Sequence, residues 1–411
     1  MKVLLKSALI IDQRSPLNGK KRDILIENGK IISIAASISE PKAKEITAKG
    51  LCVSSGWIDM RANFCDPGFE FKEDITSGIE AAKRGGFSTV VLMPSTNPVI
   101  DSKSGVEYVL SKAKNNDVKI LVAGSLSDKM EGKQMSEMYD MHQAGAVAFT
   151  DDKKSVGAEL MMRALEYTLN FGGLVMSFPY EKGVSSHGQM NEGITSVSMG
   201  TTGIPNIAEE IRLQRDIELL RYTGGKLHVS LISTAKSVEL IRKAKKEGLN
   251  ITCAVAALQL YFLDEDLKTF DTNLKVMPPF RSKEDRKALI AGLKDGTIDA
   301  ICSDHTPQDV EHKVREFEDA SFGISSIETT FFTAYSALEK HLSIEEIVAK
   351  FTTAPAKVLG IEQSEIKEGE QANLTLFSTE ENTIVDNSKW KSKSKNSPLF
   401  GKELKGKVVE L

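Results

Sequence analysis

The chain has few cysteines, no long apolar run and no strong net charge. Its cysteines are Cys52, Cys65, Cys253 and Cys302. They have no paired spacing, which excludes a cysteine-rich metal knuckle and predicts a reduced, cytoplasmic protein. No apolar run reaches the roughly 18 residues of a membrane helix, so we expect no membrane span. The net charge of −4 argues against a nucleic-acid-binding surface.

Two familiar sequence signals are also absent. Gly85-Gly86 has neither P-loop nor G-x-G-x-x-G spacing, so this pair is interpreted as the end of a helix rather than a phosphate-binding loop. The first twelve residues combine a basic residue with a short apolar run but contain no convincing small-residue cleavage site. We therefore interpret them as an edge strand.

The composition is that of a globular protein with a barrel-sized core. Of 411 residues, 41% are apolar and 27% are charged, which is ordinary for such a protein. Residues 1–52 and 361–411 alternate short β-rich runs with turns, whereas residues 53–360 alternate strand-like and helix-like segments. We predict that both termini meet in one small composite β-sandwich domain, and that 53–360 form a separate domain.

The middle of the chain contains eight strand-like runs, each followed by an amphipathic segment. Eight such units in a row favour an α/β fold with a closed (β/α)₈ TIM barrel over an open sheet. Two long loops, 179–206 and 305–324, would lie at the C-terminal face of this barrel, where long loops are typically lids or interfaces. The strand-like runs are 53–60, 88–93, 119–124, 146–150, 174–178, 226–230, 251–255 and 300–304. The helix-like segments are 73–84, 105–113, 135–143, 158–169, 207–222, 236–247, 283–293 and 325–338.

The segment 56–68 would be the end of the first barrel strand, and residues two apart in a strand face the same side. With the segments 66–74 and 85–98, it resembles the class I dihydroorotases of the amidohydrolase superfamily. The family motif at this strand is D-x-H-x-H-x-R-x-P-G. This chain keeps the frame but has Asp59, Arg61, Asn63, Cys65, Pro67 and Gly68 at those positions.

The resemblance implies a zinc site whose four histidine ligands this chain lacks, whereas the aspartate after strand four, Asp151, is kept. In the family, histidines at the ends of strands one, five and six and an aspartate after strand four hold two ions, and an aspartate after strand eight is the general base. Arginine has no lone pair for a metal, asparagine is at best a weak ligand, and phenylalanine and leucine offer none. We therefore expect no bound zinc and a vestigial base. The former ligand positions are Arg61, Asn63, Asp151, Phe178 and Leu231, and the former base is Asp304.

The substrate-contacting positions are also partly changed. By the resemblance, Cys65 replaces an arginine that binds the substrate carboxylate, Gln308 replaces a histidine, and Ser95 and Met277 replace asparagines. The pair Phe322-Gly323 matches the family loop that closes on substrate. Ser95, Phe322 and Gly323 are the predicted substrate-binding residues.

Arg61 would bring a fixed cation to the place where the family holds metal ions. Because buried carboxylates without a partner are costly, we predict that Arg61 pairs with Asp304 or Asp151. Simpler interpretations stay open, since the aspartates at the strand ends could cap loops or pair with other cations. His228 is expected to be a packing histidine pointing away from the site. His305 as a ligand of a new site, or Cys65 as a nucleophile, are further alternatives.

These observations leave three functional hypotheses. The first is a non-catalytic dihydroorotase homologue of pyrimidine biosynthesis, a structural or regulatory partner of aspartate transcarbamoylase and itself a homo-oligomer. The second is an active dihydroorotase or another cyclic amidohydrolase with a rebuilt site, which would need zinc. The third is a metal-free scaffold similar to the dihydropyrimidinase-related structural proteins, although the segment 66–74 and the shorter length favour the dihydroorotase branch.

Overall fold

The computed structural model describes residues 2–185 and 187–410. The strands are β1 (Lys2–Ile10), β2 (Lys21–Glu27), β3 (Lys30–Ala35), β4 (Lys44–Ile46), β5 (Leu51–Ser55), β6 (Trp57–Ala62), β7 (Phe87–Leu92), β8 (Lys119–Gly124), β9 (Ala146–Phe149), β10 (Val175–Ser177), β11 (Met190–Asn191), β12 (Gly203–Ile204), β13 (Leu227–Val229), β14 (Ile251–Ala256), β15 (Ala300–Cys302), β16 (Leu374–Ile384) and β17 (Glu403–Val409). The helices are α1 (Ile75–Arg84), α2 (Lys103–Lys112), α3 (Met138–Gln143), α4 (Ala158–Thr168), α5 (Lys182–Ser185), α6 (Ile194–Met199), α7 (Ile207–Thr223), α8 (Ala235–Lys246), α9 (Ala257–Tyr261), α10 (Lys283–Lys294), α11 (Val310–Lys313), α12 (Thr330–Leu338), α13 (Ile344–Ala349) and α14 (Thr353–Leu359).

Eight parallel strands form the barrel, in the order β6-β7-β8-β9-β10-β13-β14-β15. A parallel bridge between Ala62 and His305 brings the two ends of this sheet together, and the Asn63 N–H donates to the His305 carbonyl at 2.8 Å. The inward-facing side chains, such as Met176 and Ala254, pack into one apolar cluster inside the ring. The predicted (β/α)₈ barrel is therefore confirmed, and its interior is a packed core rather than a pore.

The two termini build a second, seven-stranded sheet. Its order is β17-β16-β5-β1-β2-β3, with β4 parallel to β1. The predicted composite domain is thus confirmed as one β sheet made from both ends of the chain, and its predicted bounds, 1–52 and 361–411, stay a prediction. Strand β5 belongs to this sheet, and Gly56 alone separates it from β6. A Cβ at Gly56 would lie 2.1 Å from Ser88 Oγ, so only glycine fits where the chain enters the barrel.

A buried aromatic cluster joins the terminal sheet to the barrel. Trp57 of β6 lies 4.4 Å from Phe331 of α12 and 5.3 Å from Phe377 of β16, measured between ring centroids. All three side chains are fully buried. Aromatic rings bury large areas and add specific pair geometry, so this cluster fixes how the two sheets meet.

The helices differ from the predicted ones mainly after strands β14 and β15. Residues 262–282, expected to be a plain connection, follow the short helix α9 and contain two 3₁₀ turns before α10 begins. Pro278 and Pro279 lack backbone N–H groups and so favour an irregular path here. The helix predicted from residue 325 begins only at Thr330, after a 3₁₀ turn over Ile327–Thr329. Across the described residues, no helix has the length and apolar character of a membrane span.

Candidate functional site

Arg61 lies at the C-terminal end of β6, inside the mouth of the barrel, and is 3% exposed. Its Nε donates to Asp304 Oδ1 at 2.9 Å, and its Nη2 pairs with Asp152 Oδ1. Burial alone would lower the pKa of Arg61, but the carboxylates of Asp152 and Asp304 outweigh it and raise that pKa above its ordinary value. The guanidinium is therefore a permanent charge, as the sequence predicted for this position.

Asp304 receives a second cation that the sequence did not point to. Lys153 Nζ donates to Asp304 Oδ2 at 2.9 Å and lies 3.3 Å from Thr306 Oγ1. Both carboxylate oxygens of Asp304 are thus engaged by cations. Two cations and two carboxylates make up this group, which we call the charged cluster: Arg61, Asp152, Lys153 and Asp304.

Asn63 and Ser95 surround the charged cluster. The Ser95 hydroxyl donates to Asp152 Oδ2, and Asn63 Nδ2 donates to Ser95 Oγ at 2.8 Å. The Oδ1 of Asn63 accepts the N–H of Cys65 at 2.8 Å. Asn63 therefore uses its amide to orient Ser95 and the chain after β6. The hydroxyl of Ser95, which was predicted to contact substrate, is used in the hydrogen bond to Asp152.

Asp151 does not meet Arg61, and its neighbour Asp152 does. The Oδ1 of Asp151 accepts the N–H groups of Leu126 and Ser127, both at 2.9 Å, and its Oδ2 accepts the Ser127 hydroxyl. Burial raises the pKa of Asp151, although these hydrogen bonds oppose the shift. The chain turns at Asp152, whose φ of 52° directs its side chain into the mouth while Asp151 faces the 126–127 turn.

The remaining former ligand positions are apolar. The Phe178 ring centroid lies 5.9 Å from the Arg61 guanidinium carbon, and Leu231 is buried in the barrel interior. Within the described part of the chain, no group of three or more His, Cys, Asp or Glu side chains could hold a metal ion. The carboxylates of Asp152 and Asp304 are already paired with Arg61, and that of Asp151 accepts hydrogen bonds from the 126–127 turn. The residues present therefore do not fit a dinuclear zinc centre.

Phe322 and Gly323 lie in the loop after β15, held by two buried lysines. Lys275 Nζ lies 4.9 Å from the Phe322 ring centroid. The Gly323 N–H donates to the Lys275 carbonyl at 2.9 Å, and its own carbonyl accepts Lys313 Nζ at 3.0 Å. Gly323 has φ of 136°, and a Cβ there would lie 2.5 Å from the Thr306 carbonyl oxygen. The position therefore requires glycine.

Two alternative candidates have structural roles. Burial, reinforced by Glu73, raises the pKa of Cys65 to about 12, so its thiol stays protonated and is a poor nucleophile. His305 is fully buried; its Nδ1 accepts the Ser326 N–H at 3.1 Å and its Nε2 lies 3.5 Å from Glu73 Oε2. It joins the loop after β15 to the start of α1 and faces away from the charged cluster.

His228 packs inside the barrel rather than away from it. Its Nδ1 lies 2.9 Å from Thr252 Oγ1, and burial lowers its pKa to about 3. Thr252 shares a strand face with the inward-facing Ala254, so the ring lies within the barrel. His228 is the packing histidine that the sequence suggested, and its ring lies in the barrel interior, although strand alternation predicted that it points away from the site.

Two residues of the charged cluster, Lys153 and Asp152, were not among the site residues predicted from the sequence. Both follow β9 directly, within the segment Phe149–Lys153 that contains the strand-four motif. Because every barrel strand delivers its following residues to the same face, any ionisable residue just after a strand is a candidate for the mouth. That positional signal could have found Lys153.

The fold and the site are those of an amidohydrolase-type protein. They combine a (β/α)₈ barrel, a composite terminal sheet, and aspartates at the ends of strands four and eight. A family model described as dihydro-orotase-like matches residues 50–237. A dihydroorotase of Syntrophus aciditrophicus is 40% identical over 414 residues, covering 100% of this chain and 97% of the relative. A dihydroorotase of Acetivibrio thermocellus is 42% identical over 410 residues, covering 99% and 96%. The chain belongs to the dihydroorotase family.

Solved structures share the fold at lower identity. The L-hydantoinase (dihydropyrimidinase) from Arthrobacter aurescens superposes with a TM-score of 0.84 at 24% identity, covering 99% of this chain and 93% of that one. The dihydropyrimidinase from Brevibacillus agri gives a TM-score of 0.83 at 20% identity, covering 100% and 93%. These similarities concern the architecture alone.

Proposed function

We propose that this chain is a non-catalytic member of the dihydroorotase family that serves pyrimidine biosynthesis. The observation that supports this most directly is Arg61, which forms ion pairs with Asp152 and Asp304 at the mouth of the barrel. The pathway is supported by full-length relatives that are named dihydroorotase. The proposal is that the barrel is retained as a scaffold.

The chemistry of the site supports the absence of hydrolysis. Zinc hydrolases need an ion that lowers the pKa of a bound water toward neutrality, which requires several ligands and an open coordination position. A guanidinium cannot coordinate water in this way, because it has no vacant orbital to accept a lone pair. Asp304, the base position, has one oxygen on Arg61 and the other on Lys153. Neither an activated water nor a free base is then available.

Metal content and turnover of the purified protein test this proposal together. We expect less than stoichiometric zinc after growth in zinc-supplemented medium, and dihydroorotate turnover no greater than buffer. A matched variant with Arg61→His, Asn63→His, Phe178→His and Leu231→His restores imidazoles at four positions and should gain bound zinc. Stoichiometric zinc together with turnover in the unaltered protein would reject the non-catalytic proposal.

The partner proposed for this scaffold is aspartate transcarbamoylase. It is supported by the family resemblance and by apolar side chains on the two long loops over the barrel mouth. Ile194 and Val197 of α6 are 91% and 81% exposed, and Val310 and Val314 at α11 are 73% and 78% exposed. Exposed apolar groups of this kind are typical of interaction sites.

Co-elution of the two purified proteins on a sizing column tests the partnership. We expect a shared peak that is lost in an Ile194→Ser, Val197→Ser variant and kept in Tyr222→Ser, whose ring is 78% exposed elsewhere. Separate elution of the unaltered proteins at every tested concentration would remove the partner from the proposal. The homo-oligomeric state and the cytoplasmic location stay predictions, and the first of them can be read from the same column.

The second candidate function is an active dihydroorotase, or another cyclic amidohydrolase with a rebuilt site. Identity of about 40% over nearly the full length to proteins named dihydroorotase favours it. It requires zinc, or another activating group, near Asp304. The measurement of bound zinc and turnover separates it from the scaffold proposal.

A further inference from the structure

A large cavity lies at the opposite end of the barrel from the charged cluster. It is formed where β9, β10, β13, β14 and β15 begin and where α14 ends, and its volume is about 930 Å³. Cavities of roughly 300–1,000 Å³ are the usual size for small-molecule sites. Part of its wall is apolar, and this part consists of Val147, Leu174, Leu227, Leu249, Ile251, Val358, Leu359 and Ile361.

Positive charge is concentrated around this cavity. Four lysines line it, Lys226, Lys245, Lys350 and Lys357, against the single carboxylate of Asp299. The whole chain has a net charge of −4, so the excess of cations here is a local feature. Clefts lined by one sign of charge attract ligands of the opposite sign.

Asp299 forms an ion pair with only one of these lysines, Lys245. Lys245 Nζ contacts both of its oxygens, at 2.8 and 2.7 Å, and the Cys253 N–H donates to Oδ2 at 2.8 Å. Asp299 is therefore saturated by one lysine and one amide. Lys350 lies nearby on a different element. Burial lowers its pKa, Asp299 opposes this shift, and Lys245 adds to it.

Most ammonium donors in the cavity are unused. Lys226 donates to the Gly172 carbonyl at 3.1 Å, and Lys350 donates to the Ile298 carbonyl at 2.7 Å. Lys357 makes no hydrogen bond or ion pair with the residues that the structure describes. Since each ammonium has three donors, these side chains together retain capacity for several anionic oxygens.

Lysines near helix C-termini commonly offset the helix dipole, and α8 and α14 end beside this cavity. Here the main chain already satisfies the last carbonyls. The Gly248 N–H donates to the Lys245 carbonyl at 3.0 Å, and the Leu249 N–H donates to that of Ala244 at 3.1 Å. In α14, the Ile361 N–H donates to the Ala356 carbonyl at 3.0 Å. A helix C-terminus carries only about half a negative charge, so it does not neutralise the ammonium groups.

We propose that this cavity binds a multiply charged, phosphorylated small molecule, with its phosphates at Lys226, Lys350 and Lys357 and its uncharged part against the apolar wall. Several phosphate oxygens match several unused ammonium donors, and an apolar wall suits a base or sugar better than solvent. The site is separated from the charged cluster by the packed barrel interior. Its occupancy is therefore independent of whether the barrel mouth is catalytic.

Calorimetric titration of the purified full chain with magnesium-free ATP, inorganic triphosphate and adenosine tests this site. We expect saturable ATP binding at one site per chain that weakens as salt is added, and no binding of adenosine. Binding of ATP alone supports a nucleotide-type ligand. Equal binding of ATP and triphosphate would support the phosphate site but reject the contact between the uncharged part and the apolar wall. Failure of both anions to bind would overturn the proposal.

Two pairs of lysine variants assign the binding to this cavity. Lys226→Ala with Lys357→Ala removes two exposed lysines of the cavity and should weaken anion binding at least about tenfold, because hydrogen bonds to charged groups are strong. Lys243→Ala with Lys246→Ala removes two exposed lysines of α8 outside the cavity and should change binding less than about threefold. Equal loss in both pairs would overturn the assignment, and unchanged melting temperatures would verify folding.

Discussion

At the scale of single residues, Arg61 explains how the mouth of this barrel tolerates two carboxylates that are only 11% exposed. Asp152 and Asp304 both have positive φ, 52° and 48°, and such backbone conformations cost roughly 1–3 kcal/mol each in non-glycine residues. Both turns direct their carboxylates at one guanidinium. The planar fork of arginine can serve two carboxylates at once, whereas a lysine ammonium offers no such geometry. The ion pairs with Arg61 therefore offset the cost of these strained backbone conformations.

Replacing Arg61 by methionine should destabilise the protein by about 3–5 kcal/mol, because it leaves buried carboxylates with too few cations. Methionine keeps much of the apolar volume, so the loss reports on the charge. Urea denaturation at pH 7 measures it. Arg163→Met is the control, since Arg163 and its partner Glu159 are 62% and 73% exposed, and its effect should stay within about 1 kcal/mol. An Arg61→Met protein as stable as the parent would show that the cluster contributes nothing.

At the scale of elements, the loop after β15 is held in place by two buried lysines rather than by apolar packing alone. Lys275 Nζ donates to the carbonyls of Phe317 and Glu318, at 2.7 and 2.8 Å. Lys313 Nζ donates to those of Ser321 and Gly323, at 2.9 and 3.0 Å. The loop therefore closes around two ammonium groups that donate to backbone carbonyls and, among the described residues, to no carboxylate.

Lys313 should make stability depend on pH in a defined direction. Burial, with a smaller effect of Lys275, lowers its pKa to about 7, whereas the unfolded chain keeps the ordinary value of 10.5. Between these values the unfolded state binds more protons, so the free energy of unfolding rises with pH. Relative to Lys313→Met, the parent should gain up to roughly 1.4 kcal/mol per pH unit from pH 7 to 9.

Urea denaturation at a series of pH values gives this slope. Lys294→Met is the matched control, because Lys294 is exposed on α10 and should show the same pH profile as the parent. Parallel profiles for the parent and Lys313→Met would contradict an effect of burial on this lysine.

Gly323 tests the conformation of the same loop. Gly323→Ala should cost roughly 1–3 kcal/mol, since alanine is strained at φ of 136° and its Cβ would press on the Thr306 carbonyl. Gly157→Ala is the control, with φ of −60° and no atom within 4 Å of the new Cβ. Its effect on the free energy of unfolding should stay below about 1 kcal/mol. Equal effects of the two substitutions in thermal unfolding would show that the loop adapts freely.

At the scale of the whole molecule, the sequence predicted the features that depend on repeated units and on position at the end of a strand. Eight repeated units predicted the barrel, and a motif with an arginine in place of histidine predicted the ion pair with Asp304. The sequence did not predict that the second carboxylate paired with Arg61 belongs to Asp152 rather than to Asp151. The φ angle of Asp152 decides which of the two carboxylates faces the mouth. Lys153 reaches Asp304 across 151 positions of sequence, a contact that periodicity does not encode.

The aromatic cluster between the terminal sheet and the barrel should make the two sheets unfold together. Phe377 lies on β16 of the terminal sheet, and its ring centroid is 5.2 Å from that of Phe331 on a barrel helix. Phe377→Ala should cost about 3–5 kcal/mol and lower one common melting temperature, because the cavity opens at the junction. Calorimetry with far-UV and near-UV circular dichroism follows both sheets. Tyr222→Ala, at a ring 78% exposed, should change stability by less than about 0.5 kcal/mol. Two separate transitions, only one shifted by Phe377→Ala, would mean that the terminal sheet folds independently.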